Sequence, residues 1–225
     1  MLKSSDFDRI LDAIDSRGAP GDGSGNSRRK PMGKLYDSID DRLRAWVSRQ
    51  KMFFVATAPR GDTGHVNCSP KGHDSLRIIG PHAVAWLDTP GSGIETIAHL
   101  RENGRIVIML CAFDGPPRIV RFHGQGRVLI PDEAEFARLL PLFKPQPTVR
   151  AIIYVDITRI SDSCGFGVPL YTYEKSRTTS ADYVRKMSDE QLRQYGVEHN
   201  QRSIDSLGGL NAGEAESVII DRSVL

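Results

Sequence analysis

The chain has 225 residues, 39% of them hydrophobic and 26% charged, an ordinary globular balance that can bury a core without staples. Its 30 basic and 28 acidic residues leave a net charge of +2, too balanced for bulk electrostatic binding to nucleic acid or an anionic membrane. Cys68, Cys111 and Cys164 lie far apart and form no CxxC pair, which excludes a zinc ribbon or thioredoxin-type motif and fits a reducing, cytoplasmic compartment.

In chain order, Phe7, Ile10, Leu11 and Ile14 recur at helical spacing and predict a short amphipathic helix over residues 5–16. Its acidic, amphipathic start does not read as a secretory signal. Residues 18–29, rich in Gly, Ser, Asp and Arg, bury too little apolar surface to offset their ordering entropy. They predict a flexible linker, so residues 1–30 form an N-terminal helix and linker. The glycine run at 21–25 lacks a preceding strand and a following Gly-Lys-Ser/Thr, so it does not read as a phosphate loop.

A compact domain is predicted over 31–175. Ile39, Leu43, Trp46 and Val47 form one apolar stripe, predicting a core-facing helix over 37–50. Strands are predicted at 53–58, 65–69, 75–79 and 83–88, the second and third divided by Pro70-Lys71-Gly72. The turn from Thr89 to Gly93 leads into a helix over 94–102. Strands at 105–113 and 118–130 follow, then a helix over 132–143 and a last strand at 152–160. These connections are too short for crossover helices, so the pattern predicts a mainly β protein with flanking helices, a six-stranded antiparallel barrel. A Gly-rich loop spans 162–169. A polar helical stretch over 180–200 and a weakly periodic tail from Leu207 belong to a C-terminal extension over 176–225. The longest apolar run, 106–113, is far too short to cross a bilayer. No HExxH spacing or GxSxG elbow occurs, so neither a catalytic metal nor serine hydrolysis is expected.

Three segments carry a family resemblance. They are Phe53-Phe54-Val55-Ala56-Thr57 with Gly64-His65-Val66-Asn67-Cys68-Ser69-Pro70-Lys71-Gly72; the run Trp86 to Thr96; and the run Arg121 to Val128. In order and spacing they resemble the pyridoxamine 5′-phosphate oxidase-like flavoproteins over roughly residues 34–160. The resemblance implies a split β-barrel of FMN-binding type, dimerised so that FMN lies between subunits, and an oxidoreductase acting on a small molecule. It implies cofactor contacts from Asn67, Ser69, Pro70, Lys71, Asp88, Thr89, Ser92, Gly93, Thr96, Arg121, Cys164, Gly165 and Gly167, with no metal.

The chemistry of several of these residues suits FMN. Ser92 and Thr96 offer hydroxyls beside a helix N-terminus, Lys71 adds a point charge, and Gly91 and Gly93 allow close backbone approach to a phosphate. Asn67 and Ser69 share one strand face and suit the polar edge of the isoalloxazine. Read locally, Ser92 instead caps the helix and Glu95 completes a capping box, while Cys164 reads as a small packed residue. The chain departs from the oxidases that take pyridoxamine phosphate. It has Ile94 and Glu95 where they place a basic residue, Ile119 where they place a Gln, and Ser163–Pro169 in place of their C-terminal Trp and Arg element. A different class of function is a non-catalytic flavin- or haem-binding barrel, with His65, His73 or His123 as the iron ligand.

Overall fold

The computed structural model describes residues 33–225; the helix expected over 5–16 and the linker over 18–29 fall outside them. Its strands are β1 (Leu35–Tyr36), β2 (Phe53–Thr57), β3 (Asn67–Lys71), β4 (Leu76–Gly80), β5 (Ala83–Asp88), β6 (Arg105–Cys111), β7 (Ile119–Leu129), β8 (Thr148–Val149), β9 (Ala151–Ser163) and β10 (Ile219–Ile220). Its helices are α1 (Asp41–Val47), α2 (Glu95–Asn103), α3 (Ala134–Leu139), α4 (Thr179–Lys186), α5 (Asp189–Asn200) and α6 (Ala212–Glu216).

Alternation of buried and half-buried side chains builds the barrel. Phe53 and Val55 of β2, Ile106, Ile108 and Leu110 of β6, and Val120 and Phe122 of β7 point inward. The strands pair antiparallel in the order β3-β2-β6-β7-β9-β5-β4, and β1 adds to β9. This is the expected antiparallel split barrel, with eight strands in the sheet where six are expected. All seven strand segments read from the sequence pair in it, and β1, too short to show a pattern, adds the eighth. Pro70 sits within β3, opposite Phe54, a position open to proline because β3 ends the sheet. A register shift falls at Gly124, where a Cβ would lie 2.2 Å from the Asp156 carbonyl oxygen; only glycine lets β7 and β9 approach so closely.

β5 is buried along its whole length because both its faces are covered. Val84 and Trp86 face the barrel core with Ile97, Phe122 and Ile153, while Ala85 and Leu87 face a second cluster with Phe136, Leu139 and Phe143. Phe136 and Leu139 come from α3, which therefore closes the outer face of the sheet.

The C-terminal part divides differently from its sequence pattern. The helical stretch expected over 180–200 is two helices, broken at Ser188, whose hydroxyl accepts from the Gln191 N–H while the Gln191 side chain accepts from the Ser188 N–H. The tail holds α6, capped in the same way by Asn211 and Glu214, and β10, which pairs with β8. Leu210 and Ala215 belong to the barrel core, each 2% exposed. Among the described residues no helix is long and apolar enough to cross a membrane.

The tail's contribution to the core is measurable. Leu210→Ala is expected to cost about 3 kcal/mol, the usual loss for a fully buried leucine. Ile204→Ala, at a position 68% exposed, is expected to cost under about 0.5 kcal/mol. Urea unfolding of both variants checks this, and equal midpoints would show that the tail does not share the core.

Candidate functional site

A cleft of about 430 Å³ opens where the C-terminal ends of β3 and β5 meet the start of β9 and the approach to α4. Of the thirteen expected cofactor residues, Ser69, Pro70, Lys71, Asp88, Thr89, Ser92 and Gly93 line it. At its base lies Asp88, 1% exposed, with Arg150 Nε 2.7 Å from one carboxylate oxygen and Lys71 Nζ 2.9 Å from the other. Burial pushes the Asp88 carboxyl up, but Arg150 and Lys71 outweigh it and hold the group well below the usual carboxylate range. One buried anion between two cations leaves a net positive charge at the cleft floor.

Arg150 also sets the turn above it. Its guanidinium donates to the Gly93 carbonyl at 3.1 Å and to Asn200 Oδ1 at 2.9 Å, and Asn200 Nδ2 donates to the Gly91 carbonyl at 3.0 Å. A trans peptide points its N–H opposite to its C=O, so the N–H groups of Ser92 and Ile94 are turned away from Arg150 and Asn200. Neither has a partner among the described residues. Ser92 is not the helix cap that its local sequence predicts. α2 starts later, behind Ile94, whose apolar side chain cannot cap, and Glu95 accepts instead from the Ile204 N–H at 3.3 Å. Ser92 and the first turn of α2 are thus left free of each other.

Asn67 and Thr96 stand behind the cleft wall. Asn67 Nδ2 donates to Thr96 Oγ1 at 3.0 Å and Thr57 Oγ1 at 3.3 Å, and Ser69 donates to Asn67 Oδ1 at 2.9 Å. Thr57 is bonded in turn to Nδ1 of His99, which is fully buried and held below the ordinary histidine value by that burial. The polar face expected of Asn67 and Ser69 is therefore one end of a hydrogen-bonded chain into the core.

The structure does not bring Arg121, Cys164, Gly165 and Gly167 to this chain's cleft. Arg121 projects from the outer face of β7 and donates to the Ser163 hydroxyl at 3.0 Å. Cys164 is exposed, and Gly165, at φ 69°, packs against the Arg118 backbone. Of the candidate iron ligands, His73 lines the cleft, His65 is bonded to Asp205 at 2.6 Å, and His123 lies on the outer face of β7. Burial, then Arg159 and Arg121, hold His123 below the ordinary value. Arg150, Arg177 and Asn200 are site residues that the sequence pattern does not single out. An arginine abutting the apolar run from Ala151 is the one available signal, and its partners lie 50 to 62 residues away.

Residues 39–164 match the family described as pyridoxamine 5′-phosphate oxidase. A pyridoxamine 5′-phosphate oxidase family protein of Aspergillus flavus, ustO, is 39% identical over 198 residues, covering 79% of this chain and 78% of that protein. Among solved structures, HupZ of Group A Streptococcus is 18% identical with a TM-score of 0.42, covering 54% of this chain and 91% of its own. A FAD-binding protein from Mesorhizobium loti is 12% identical with a TM-score of 0.38, covering 58% of this chain and 96% of its own.

The buried ion triad has a pH signature. Asp88→Asn is expected to cost about 3–5 kcal/mol at pH 7, because it leaves Arg150 and Lys71 without their anion. A depressed carboxyl pKa stabilises above the unfolded value, about 3.9, and that stability is lost as pH falls toward the folded value. The gap between wild type and Asp88→Asn should therefore narrow below about pH 4. Denaturant titrations from pH 7 to pH 2.5 check it, and a constant gap would exclude an ionised Asp88.

Proposed function

Because this chain belongs to the pyridoxamine 5′-phosphate oxidase family, we propose that it is a homodimeric FMN-dependent oxidoreductase whose cleft holds the flavin phosphate. The observation that carries this reading is the turn at Gly91–Gly93. Its carbonyls are taken by Asn200 and Arg150, which leaves the Ser92 N–H and hydroxyl for an anion. Lys71 and Arg177 line the same cleft, and Gly91 has open space where a Cβ would stand. Three cations, Lys71, Arg150 and Arg177, face two carboxylates, Asp88 and Glu95, and the latter is engaged by the Ile204 N–H. The donor set therefore fits a phosphate. A volume of about 430 Å³ lies within the range of small-molecule sites, about 300–1,000 Å³.

Flavin binding is common in this family, and a bound flavin supplies the electron transfer to or from a small molecule. The chain's own residues supply position and charge. Asp88 fixes Lys71 at the cleft wall, and the bonds of Asn67 to Thr57 and Thr96 fix the β3 face beside it.

A second copy fits the outer face of the barrel. Phe54, Ala56, Val107, Met109 and Ile119 share that face of β2, β6 and β7 and remain only half-buried. Arg121 and Ser163 border the same face. A twofold partner covering it buries these apolar side chains and carries Arg121 and the Cys164–Gly167 loop toward the partner's cleft.

Acid release of the chromophore and its mass identify the cofactor, and the expected result is FMN at two per dimer. Lys71→Ala should weaken FMN binding roughly tenfold or more, the loss of one charge-assisted contact. Recovery of FAD or haem, or a flavin-loaded monomer in light scattering, would overturn the reading.

A further inference from the structure

Beside the cleft lies a second pocket of about 230 Å³ that the cofactor reading leaves unused. It is formed by α4 and α5 against β8, and Pro90 and Ser180 line both the pocket and the cleft, so the two adjoin. Their chemistry is opposite. The cleft carries charges of both signs, whereas the residues around the pocket include no Lys, Arg, His, Asp or Glu.

Its walls are of two kinds. Val184, Leu192 and Val218 form an apolar floor, each less than a tenth exposed. Tyr183 and Tyr195 meet edge to face at 6.3 Å on one side. His199 already stacks on Tyr195 at 4.2 Å, so the half-exposed Tyr183 ring offers the free surface for a ligand ring. The hydroxyl groups are unspent. Thr148, 5% exposed, lines the pocket and makes no side-chain hydrogen bond among the described residues, and neither do Tyr183 and Tyr195. These hydroxyls open onto the pocket, where a ligand's polar group can take the place of water. An apolar cavity with a few convergent polar groups and no charge selects a neutral ring and rejects an ionic one, which would enter unpaired.

We infer that this pocket binds the neutral aromatic part of a substrate, a ring carrying a hydroxyl or carbonyl group, next to the cofactor. The placement beside a cofactor rests on the reading of the cleft as the flavin site; the ring-binding pocket itself does not. The pocket is built largely from the C-terminal helices, outside the matched residues 39–164, so it is a feature of this chain's extension and not of the matched barrel.

The test is equilibrium dialysis of 2-naphthol, 2-naphthoate and 2-naphthylmethylamine against the full chain, with and without added FMN. The expected result is saturable binding of 2-naphthol, one per chain, with both ionic analogues at least roughly thirtyfold weaker. Thr148→Val, close in shape, should weaken 2-naphthol binding roughly fivefold without changing thermal unfolding. Tyr183→Ala, at a half-exposed position, should weaken it comparably, while Ile204→Ala, at an exposed position outside the pocket, should leave it unchanged. Bound 2-naphthol should shift the absorption of bound FMN. The inference is overturned if 2-naphthol does not saturate, if the three probes bind alike, or if both pocket variants keep wild-type affinity. An unshifted flavin spectrum overturns the placement beside the cofactor. If FMN itself fails to bind while 2-naphthol binding depends on Thr148, the pocket is supported and the flavin reading falls.

Discussion

Asp88 is the constraint on which the rest of the site depends. A carboxylate that is 1% exposed is too costly to bury alone, so Arg150 and Lys71 must both reach it. Each of those contacts fixes a different element: Lys71 holds edge strand β3, and Arg150 holds the start of β9. Arg150 then has donors left over, which go to Gly93 and Asn200, and Asn200 reaches Gly91. One buried anion therefore orders β3, β5, β9, the turn before α2 and the end of α5. Replacing such an arrangement by apolar residues is often neutral or stabilising, whereas breaking it costs about 3–5 kcal/mol. Stability alone does not explain its presence. Its distinctive product is a turn with its carbonyls facing inward, above a net positive charge.

The C-terminal segment joins the barrel by a different physics. An ion pair crosses from it, Arg101 with Glu214 at 2.9 Å, and His65 is hydrogen-bonded to Asp205 at 2.6 Å. A partly exposed pair such as the first contributes only about 0.2–1 kcal/mol. Burial of Leu210 and Ala215 in the core contributes more, since a single buried leucine stabilises by about 1.5–3 kcal/mol. The Arg101–Glu214 pair sets the register of the segment over α2, and the apolar contacts hold it there. The same segment supplies Asn200 to the turn and Leu192 and Val218 to the pocket, so it builds the site as well as covering the barrel end.

This division explains what is legible in the sequence. Strands β2, β7 and β9 are visible because a period of two is a local property, β5 and β6 as short apolar runs between turn signals, and the stripe from Ile39 to Val47 marks α1 because its period is also local. The polar site is half legible. Lys71, Asp88 and Ser92 sit in segments that repeat a family's spacing, but the direction of the turn depends on Arg150 and Asn200, whose contacts span 50 to 109 residues. Local reasoning misplaces the α2 cap for the same reason, since Glu95 turns to a backbone N–H 109 residues away. It also misses the break at Ser188, although the capping box of Ser188 and Gln191 is there to be read.

The chain of hydrogen bonds from β3 into the core has a consequence for what the cleft wall can offer. Asn67 gives both amide donors inward, to Thr57 and Thr96, so its oxygen is left facing Ser69. Ser69 satisfies that oxygen with its one proton. Nothing remains on the Ser69 hydroxyl for a ligand except lone pairs, so Ser69 accepts and does not donate. It is therefore poorly suited to a phosphate, which is acceptor only, and well suited to a ring N–H. Ser92, with its N–H and hydroxyl both uncommitted, has the opposite character. In the proposed flavin site the two serines would therefore meet opposite ends of the same ligand. The cause lies behind the wall, in the orientation that Thr57 and Thr96 impose on a single amide.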